Sequence, residues 1–338
     1  MMVPQPTPPP GQGLQFYNGS GGFSADGREY VIDSSAGQRP PAPWVNVIAN
    51  PRFGTIVSEA GSSYTWCENA HELRLSPWHN DPVCDGGGEV IYLRDEETGQ
   101  VWQPTALPAQ DEVDGARAAG KFRCRHGFGY SAFEHEAFGI HSTLTVFVAM
   151  DAAVKFSQLV LHNRSERHRR VSATGYVEWV LGDLRAKTAP HIHTQRNPDH
   201  GALCASNHYS NDFGDWVAFY DVGNADRGTT SFSCDRSEFI GRNGALRQPA
   251  ALRRQQLSGR SGAGLDPCAA IMLPITLAPG ERREVTFRLG MGRSMDETNQ
   301  LVARFASAVS VRSALANVHE HWQHTLGQLQ LKTPDPAM

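Results

Sequence analysis

Apolar residues recur at every second position through much of this chain. Across 130–150 they fall at Phe133, Ile140, Leu144, Val146 and Val148, the period of a strand with one buried face. A second run, 156–161, leads into a polar turn at 163–168, and a third, 171–181, carries Tyr176, Val177, Trp179 and Val180. Residues 89–102 predict a hairpin, with Val90-Ile91-Tyr92-Leu93 and Gln100-Val101-Trp102 flanking a turn at 96–99. Residues 268–277 and 281–289 predict another around Ala278-Pro279-Gly280. Further strand segments are expected at 213–221, 227–233 and 239–240, tight turns through 14–31, and polar loops at 110–120 and 246–265. The fold class that follows is mainly β, a large antiparallel two-sheet sandwich from about residue 13 to about 290. The period then changes. Ser294-Met295-Asp296-Glu297 is a capping box, and Leu301, Val302, Phe305, Val311, Leu315, Val318 and Trp322 follow at helical spacing until Gly327. Residues 291–338 are therefore expected to form a helical linker, with His319, His321 and His324 at its surface or at an interface.

Composition narrows the function classes. Among 338 residues, 33 glycines and 21 prolines favour turns and strands over helix. A net charge of −4 argues against a nucleic-acid partner. Residues 1–12, rich in proline and lacking an apolar core, read as a disordered lead-in rather than a signal peptide. Six scattered cysteines without a CxxC pair fit reduced thiols and a cytoplasmic location. The 14 histidines show no metal-ligand spacing, so no metal is expected.

The richest chemistry lies at 44–83. Tyr64, Trp66 and Trp78 stand among Glu59, Glu68, Glu72 and Asp81, with Asn69, His71, His79 and Asn80 close by. Aromatic faces stack on the C–H faces of sugars, while carboxylates, amides and imidazoles bond hydroxyls. The same aromatics also suit a core with polar tips, and composition by itself leaves both readings open.

These residues also carry a family resemblance. The chain contains Tyr17-Asn18-Gly19-Ser20-Gly21-Gly22-Phe23, Asp26-Gly27-Arg28-Glu29-Tyr30 and Pro43-Trp44-Val45-Asn46-Val47-Ile48-Ala49-Asn50. It continues with Phe53-Gly54, Tyr64-Thr65-Trp66, Glu68-Asn69, Arg74-Leu75 and Pro77-Trp78 with Asn80-Asp81-Pro82. In this it resembles the N-terminal β-sandwich of the cellobiose and chitobiose phosphorylases, glycoside hydrolase family 94, and most closely that of cyclic β-1,2-glucan synthetases. The resemblance implies a galactose-mutarotase-like super-sandwich, with the linker leading to an (α/α)6 catalytic barrel. It implies a β-linked glucose oligosaccharide or glucan as ligand, and a barrel and a second copy of the chain as partners. No cofactor is implied, only inorganic phosphate as co-substrate of the full enzyme. A membrane-anchored synthetase would place the chain on the cytoplasmic side of the inner membrane. Family members bind the acceptor-side sugar with an arginine of the sandwich, and Gln195-Arg196-Asn197 is the matching segment. Gln195, Arg196, Tyr64, Trp66 and Trp78 are thus the expected sugar-binding residues. The barrel's Phe-Arg-Asp-Gln and Gly-Asp-Trp-Asn type motifs do not occur in this sequence, so no catalytic residue is assigned and the chain alone is expected to be inactive. The alternative is a stand-alone enzyme resembling the aldose mutarotases, with Glu178 as base and His191 or His193 as acid.

Overall fold

The computed structural model describes residues 13–34, 40–81, 83–108, 121–223, 228–329, 331 and 333–334. The expected lead-in at 1–12 and the whole loop at 110–120 lie outside these. The early strands are β1 (Gly21–Phe23), β2 (Glu29–Ser34), β3 (Val45–Ala49), β4 (Phe53–Ser58), β5 (Ser63–Cys67), β6 (Glu89–Asp95) and β7 (Val101–Trp102). The middle ones are β8 (Phe122–Gly127), β9 (Tyr130–Ala137), β10 (Ile140–Val148), β11 (Val154–Asn163) and β12 (Arg169–Glu178). The last are β13 (Ile192–Arg196), β14 (Leu203–Asn207), β15 (Val217–Gly223), β16 (Ser231–Asp235), β17 (Pro267–Leu277) and β18 (Arg282–Gly292). Helices are α1 (Arg185–Thr188), α2 (Arg236–Ile240), α3 (Met295–Arg304) and α4 (Ala308–Gly327).

Two antiparallel sheets form the sandwich. One has ten strands in the order β1-β2-β8-β9-β10-β11-β18-β15-β14-β13, the other five in the order β16-β17-β12-β6-β7. Their inner faces enclose the main core, where Phe133, Leu144, Leu159, Val171, Trp179, Ile271 and Phe287 are buried. The strand-forming residues at 45–57, with turns at Asn50-Pro51 and 61–63, build a third sheet, β3-β4-β5, separate from the two expected. It is fastened to β8 and β9 by the Asn46 amide, which donates to the Gly127 and Tyr130 carbonyls at 2.9 Å each.

Both outer faces are partly covered. On the ten-stranded sheet, Phe147, Phe156 and Phe219 pack under Val302, Phe305, Val311 and Val318 of the C-terminal helices. The α3 start is as expected: the Ser294 hydroxyl accepts from Glu297 N–H, and the Glu297 carboxylate accepts from Arg293 N–H at 2.7 Å. Arg288, buried in β18, donates to Asp221 at 2.8 Å and to the Val302 carbonyl at 3.0 Å, so one side chain ties α3 to the sheet. On the five-stranded sheet, Tyr92 and Tyr176 lie under Phe239, Ile240, Ala251 and Leu252.

Two local expectations are corrected here. Residues 239–240 belong to α2 rather than a strand, because Asp235 caps a helix start by accepting from Ser237 N–H. The stretch 246–265 is not a solvated loop throughout, since Ala251, Leu252 and Leu257 are buried as a cap. The polar stretch 190–210 is mostly the β13–β14 hairpin, in which Ile192 and Thr194 face inward while His193 and Gln195 face water.

Gly129 sets the docking of α4. Its φ of +78° suits glycine, and an added Cβ would collide with the Trp322 indole and lie 2.7 Å from Val318 Cγ1. Gly129→Ala is expected to destabilise the protein by roughly 1–3 kcal/mol. Hydrogen exchange should show the loss of protection concentrated in α4.

Candidate functional site

The three-stranded sheet has two chemically different faces. Residues directly opposite one another in an antiparallel pair share a face. Ile48, Thr55 and Thr65 form one row and point inward. Val47, Ile56 and Tyr64 form one outward row, and Ala49, Gly54 and Trp66 another. Val47 is 58% exposed, so this face meets solvent. The Trp66 ring lies across Gly54, where a Cβ would collide with it and stand 2.8 Å from Ala49 Cβ.

The structure brings Tyr64, Trp66 and Trp78 together. Tyr64 and Trp78 are stacked with centroids 4.9 Å apart, and Tyr64 and Trp66 lie 5.4 Å apart at 34°. Tyr64 fills the middle of this stack and is only 5% exposed. Burial, slightly offset by Arg74, pushes its phenol above the ordinary value. Tyr64 is therefore a spacer, and the half-buried Trp66 and Trp78 are the rings that can meet a ligand.

Beyond Trp66 lies a second group, of which sequence reasoning singled out only Glu68. The Glu68 carboxylate pairs with Arg52 at 2.5 Å and with Arg293 at 3.5 Å. The Arg293 guanidinium lies 5.5 Å over the Trp216 ring, and Trp216 meets Phe213 edge-on at 5.4 Å. Trp216 precedes β15 rather than lying inside it, so the expected strand at 213–221 begins late.

Arg196 and Gln195 do not join this group. Arg196 ends β13, with its guanidinium 5.0 Å over the Phe232 ring. Gln195 points to solvent. The opposite end of the strand, Ile192, pairs with Asn207, whose amide holds the Leu181 carbonyl beside the Arg74–Gly182 bridge below Trp66. Arg196 is four residues farther along, about 13 Å at the usual strand rise.

The acid–base pair of the alternative reading is not assembled either. Glu178 has one oxygen 2.6 Å from Arg185 and the other 2.8 Å from Arg236, and Asp266 closes the network with both arginines. His191 is stacked on Tyr209 at 4.1 Å, and His193 is exposed on the β13 edge. Both Glu178 oxygens are thus engaged by arginines rather than by either histidine.

Residues 28–308 match the family described as glycosyl hydrolase 94, supersandwich domain. The chain belongs to glycosyl hydrolase family 94. Among relatives within or near this family, the cyclic β-(1,2)-glucan synthase NdvB of Rhizobium meliloti is 35% identical over 330 residues, 97% of this chain and 11% of that protein. The N,N'-diacetylchitobiose phosphorylase of Vibrio furnissii is 28% identical over 326 residues, 94% of this chain and 39% of that one. The chain thus spans about a tenth of the synthase and about two fifths of the phosphorylase. A galactose mutarotase related enzyme from Lactobacillus acidophilus aligns with a TM-score of 0.38 and 10% identity over 75% of this chain and 99% of that one. For the glycosyl hydrolase 94 supersandwich, the family match agrees with the antiparallel architecture described above.

Proposed function

We propose that this chain is the sandwich module of a β-glucan-active phosphorylase or cyclic β-1,2-glucan synthase. In this reading it shapes the acceptor side of a sugar site that a helical barrel of the same polypeptide completes. Catalytic acid and phosphate pocket belong to that barrel. The module also supports the contact with the barrel or with a second copy of the chain, and it works in the cytoplasm, at the inner membrane where the polypeptide is a membrane-anchored synthase. The observation that carries the reading is the outward Trp66–Tyr64–Trp78 stack, within the region that matches the family. Two tryptophans offer flat apolar surface, and Glu68, Asn69, His79 and Asn80 around them are exposed polar groups suited to hydroxyls.

Binding to the isolated chain should be weak. Exposed hydrogen bonds contribute little net free energy because water replaces them almost as well. A dissociation constant of about 1 mM, ~4 kcal/mol, is expected for β-linked glucose oligosaccharides. Tryptophan indole NMR signals followed during titration would measure it. Loss of binding in Trp66→Ala, with thermal unfolding unchanged, supports the reading, and unaltered binding overturns it.

Arg196 is tested separately, in the polypeptide that joins this module to its barrel. There a desolvated guanidinium hydrogen bond is worth on the order of 1.5–3 kcal/mol. Arg196→Ala is expected to raise the acceptor KM at least tenfold while leaving unfolding unchanged. An unchanged KM returns Arg196 to its stacking on Phe232 as its whole role.

A further inference from the structure

We infer that the sugar-binding face continues from Trp66 through Glu68 and Arg293 to Trp216, so that its ligand is an oligosaccharide lying across it rather than a single sugar. This rests on the reading of Trp66 and Trp78 as a sugar platform. Glu68 stands just past the end of β5, two residues beyond Trp66. Its φ of +58° is unusual for a residue with a side chain. The Glu68 N–H donates to the Arg52 carbonyl at 2.5 Å, and the carboxylate accepts from Arg52 Nε. Backbone held in a sparsely populated conformation marks a place where geometry is preset.

Arg293 then bridges the two aromatic groups. Its Nη2 stands 3.5 Å from the Glu68 carboxylate, and its guanidinium carbon lies 5.5 Å from the centre of the Trp216 ring. A guanidinium has five N–H donors, so most remain available to a ligand. Trp216 is held edge-on by Phe213, with an interplanar angle of 84°. The order along the face is therefore aromatic platform, charged donor–acceptor bridge, aromatic platform.

A glucan chain has the matching order, with apolar ring faces alternating with hydroxyl-bearing edges. Hydroxyls can take the place of water on Glu68, Arg52 and Arg293. An apolar helix or strand of a protein partner would instead strip water from those three charges and offer nothing in return, which is unfavourable. The occupant that fits is a neutral β-linked oligosaccharide.

The test is a titration of the intact chain with β-linked glucose oligosaccharides of increasing length, read from the tryptophan indole signals. Affinity is expected to rise about tenfold from the disaccharide to the longer oligosaccharides, ~1.4 kcal/mol. Trp216→Ala should abolish that rise and leave disaccharide binding intact, whereas Trp66→Ala should weaken every length. Arg293→Gln, which keeps the exposed surface polar, should lose the rise in the same way. Equal affinity for all lengths, or a rise that survives both Trp216→Ala and Arg293→Gln, overturns the extension and leaves the platform standing. Absence of binding at any length overturns the platform as well.

Discussion

Replacing Lys155 by methionine is expected to destabilise this protein by about 3–5 kcal/mol, the usual effect of stranding one partner of a buried ion pair. Lys155 comes from β11 of the ten-stranded sheet, and its side chain is 3% exposed. Its ammonium donates to Glu89 of β6 at 2.6 Å, to Thr55 of β4 at 3.0 Å and to Ser63 of β5 at 3.2 Å. Glu89 also accepts from the Thr65 hydroxyl at 2.6 Å and the Ser76 hydroxyl at 2.5 Å. One ion pair thus joins all three sheets. Burial by itself would raise the Glu89 carboxyl, but the Lys155 charge and the hydrogen bonds from Lys155, Ser76 and Thr65 outweigh it and hold the group below its ordinary value. In Lys155→Met the effect of burial is no longer opposed by the lysine charge, and the Glu89 carboxyl should move upward. The urea midpoint is expected to fall by about 1 M or more, given the slopes usual for unfolding. Lys155→Met combined with Glu89→Gln removes both charges and should recover a large part of the loss. A double-mutant cycle showing additive effects would mean that the two groups do not act as a pair.

Acidification is the second large effect, and His135 dominates it. The residue is 2% exposed, with Nδ1–H donating to the Gln103 carbonyl at 2.9 Å and the ring stacked on Phe122 at 3.9 Å. Its Nε2 is buried without a hydrogen-bond partner among the described residues. Protonation would place an unpaired N–H and a charge there. Burial accordingly pushes the imidazole down to about 4, against an ordinary value near 6.5 in the unfolded chain. Between those values the unfolded state binds more protons, so stability rises with pH. The contribution is fully present above about pH 6.5 and is lost as pH falls to about 4, amounting to roughly 3 kcal/mol over the window. Glu89 adds to the loss in acid, because a depressed carboxyl stabilises only while it is ionised. His126, also lowered by burial, acts in the same direction as His135. Unfolding in urea at a series of pH values should show this slope, and His135→Gln should flatten it between pH 4 and 6.5. An imidazole resonance of His135 titrating near 6.5 in the folded protein would contradict the assignment.

Much of the architecture was legible because its signals are local. Alternation at Ile140, Ser142, Leu144 and Val146 gives β10 its inward row. The Ser294–Glu297 box starts α3. The Pro279-Gly280 turn joins β17 to β18, with Gly280 at a φ of +75°. In each case the decisive neighbours are within a few residues, so spacing along the chain is enough. The aromatic content of 44–83 was equally visible, but its distribution between core and surface was not. Tyr64 and Trp66 share the outward face of β5, but Tyr64 is covered by Trp66 and by Trp78, which comes from a later segment, so only the stack decides which rings keep surface.

What the sequence by itself determined is the class of fold, the change from strands to helices near residue 292, and the family. Tertiary structure alone decided which distant groups meet. It put Lys155 against Glu89, 66 positions apart, and carried Arg293 to both Glu68 and Trp216. It also set Arg196 on Phe232 and occupied Glu178 with two arginines. The physical reason is that hydrophobic period fixes only which side of an element is buried. Strand order and register fix its neighbours, and they are set by packing among segments far apart in the chain.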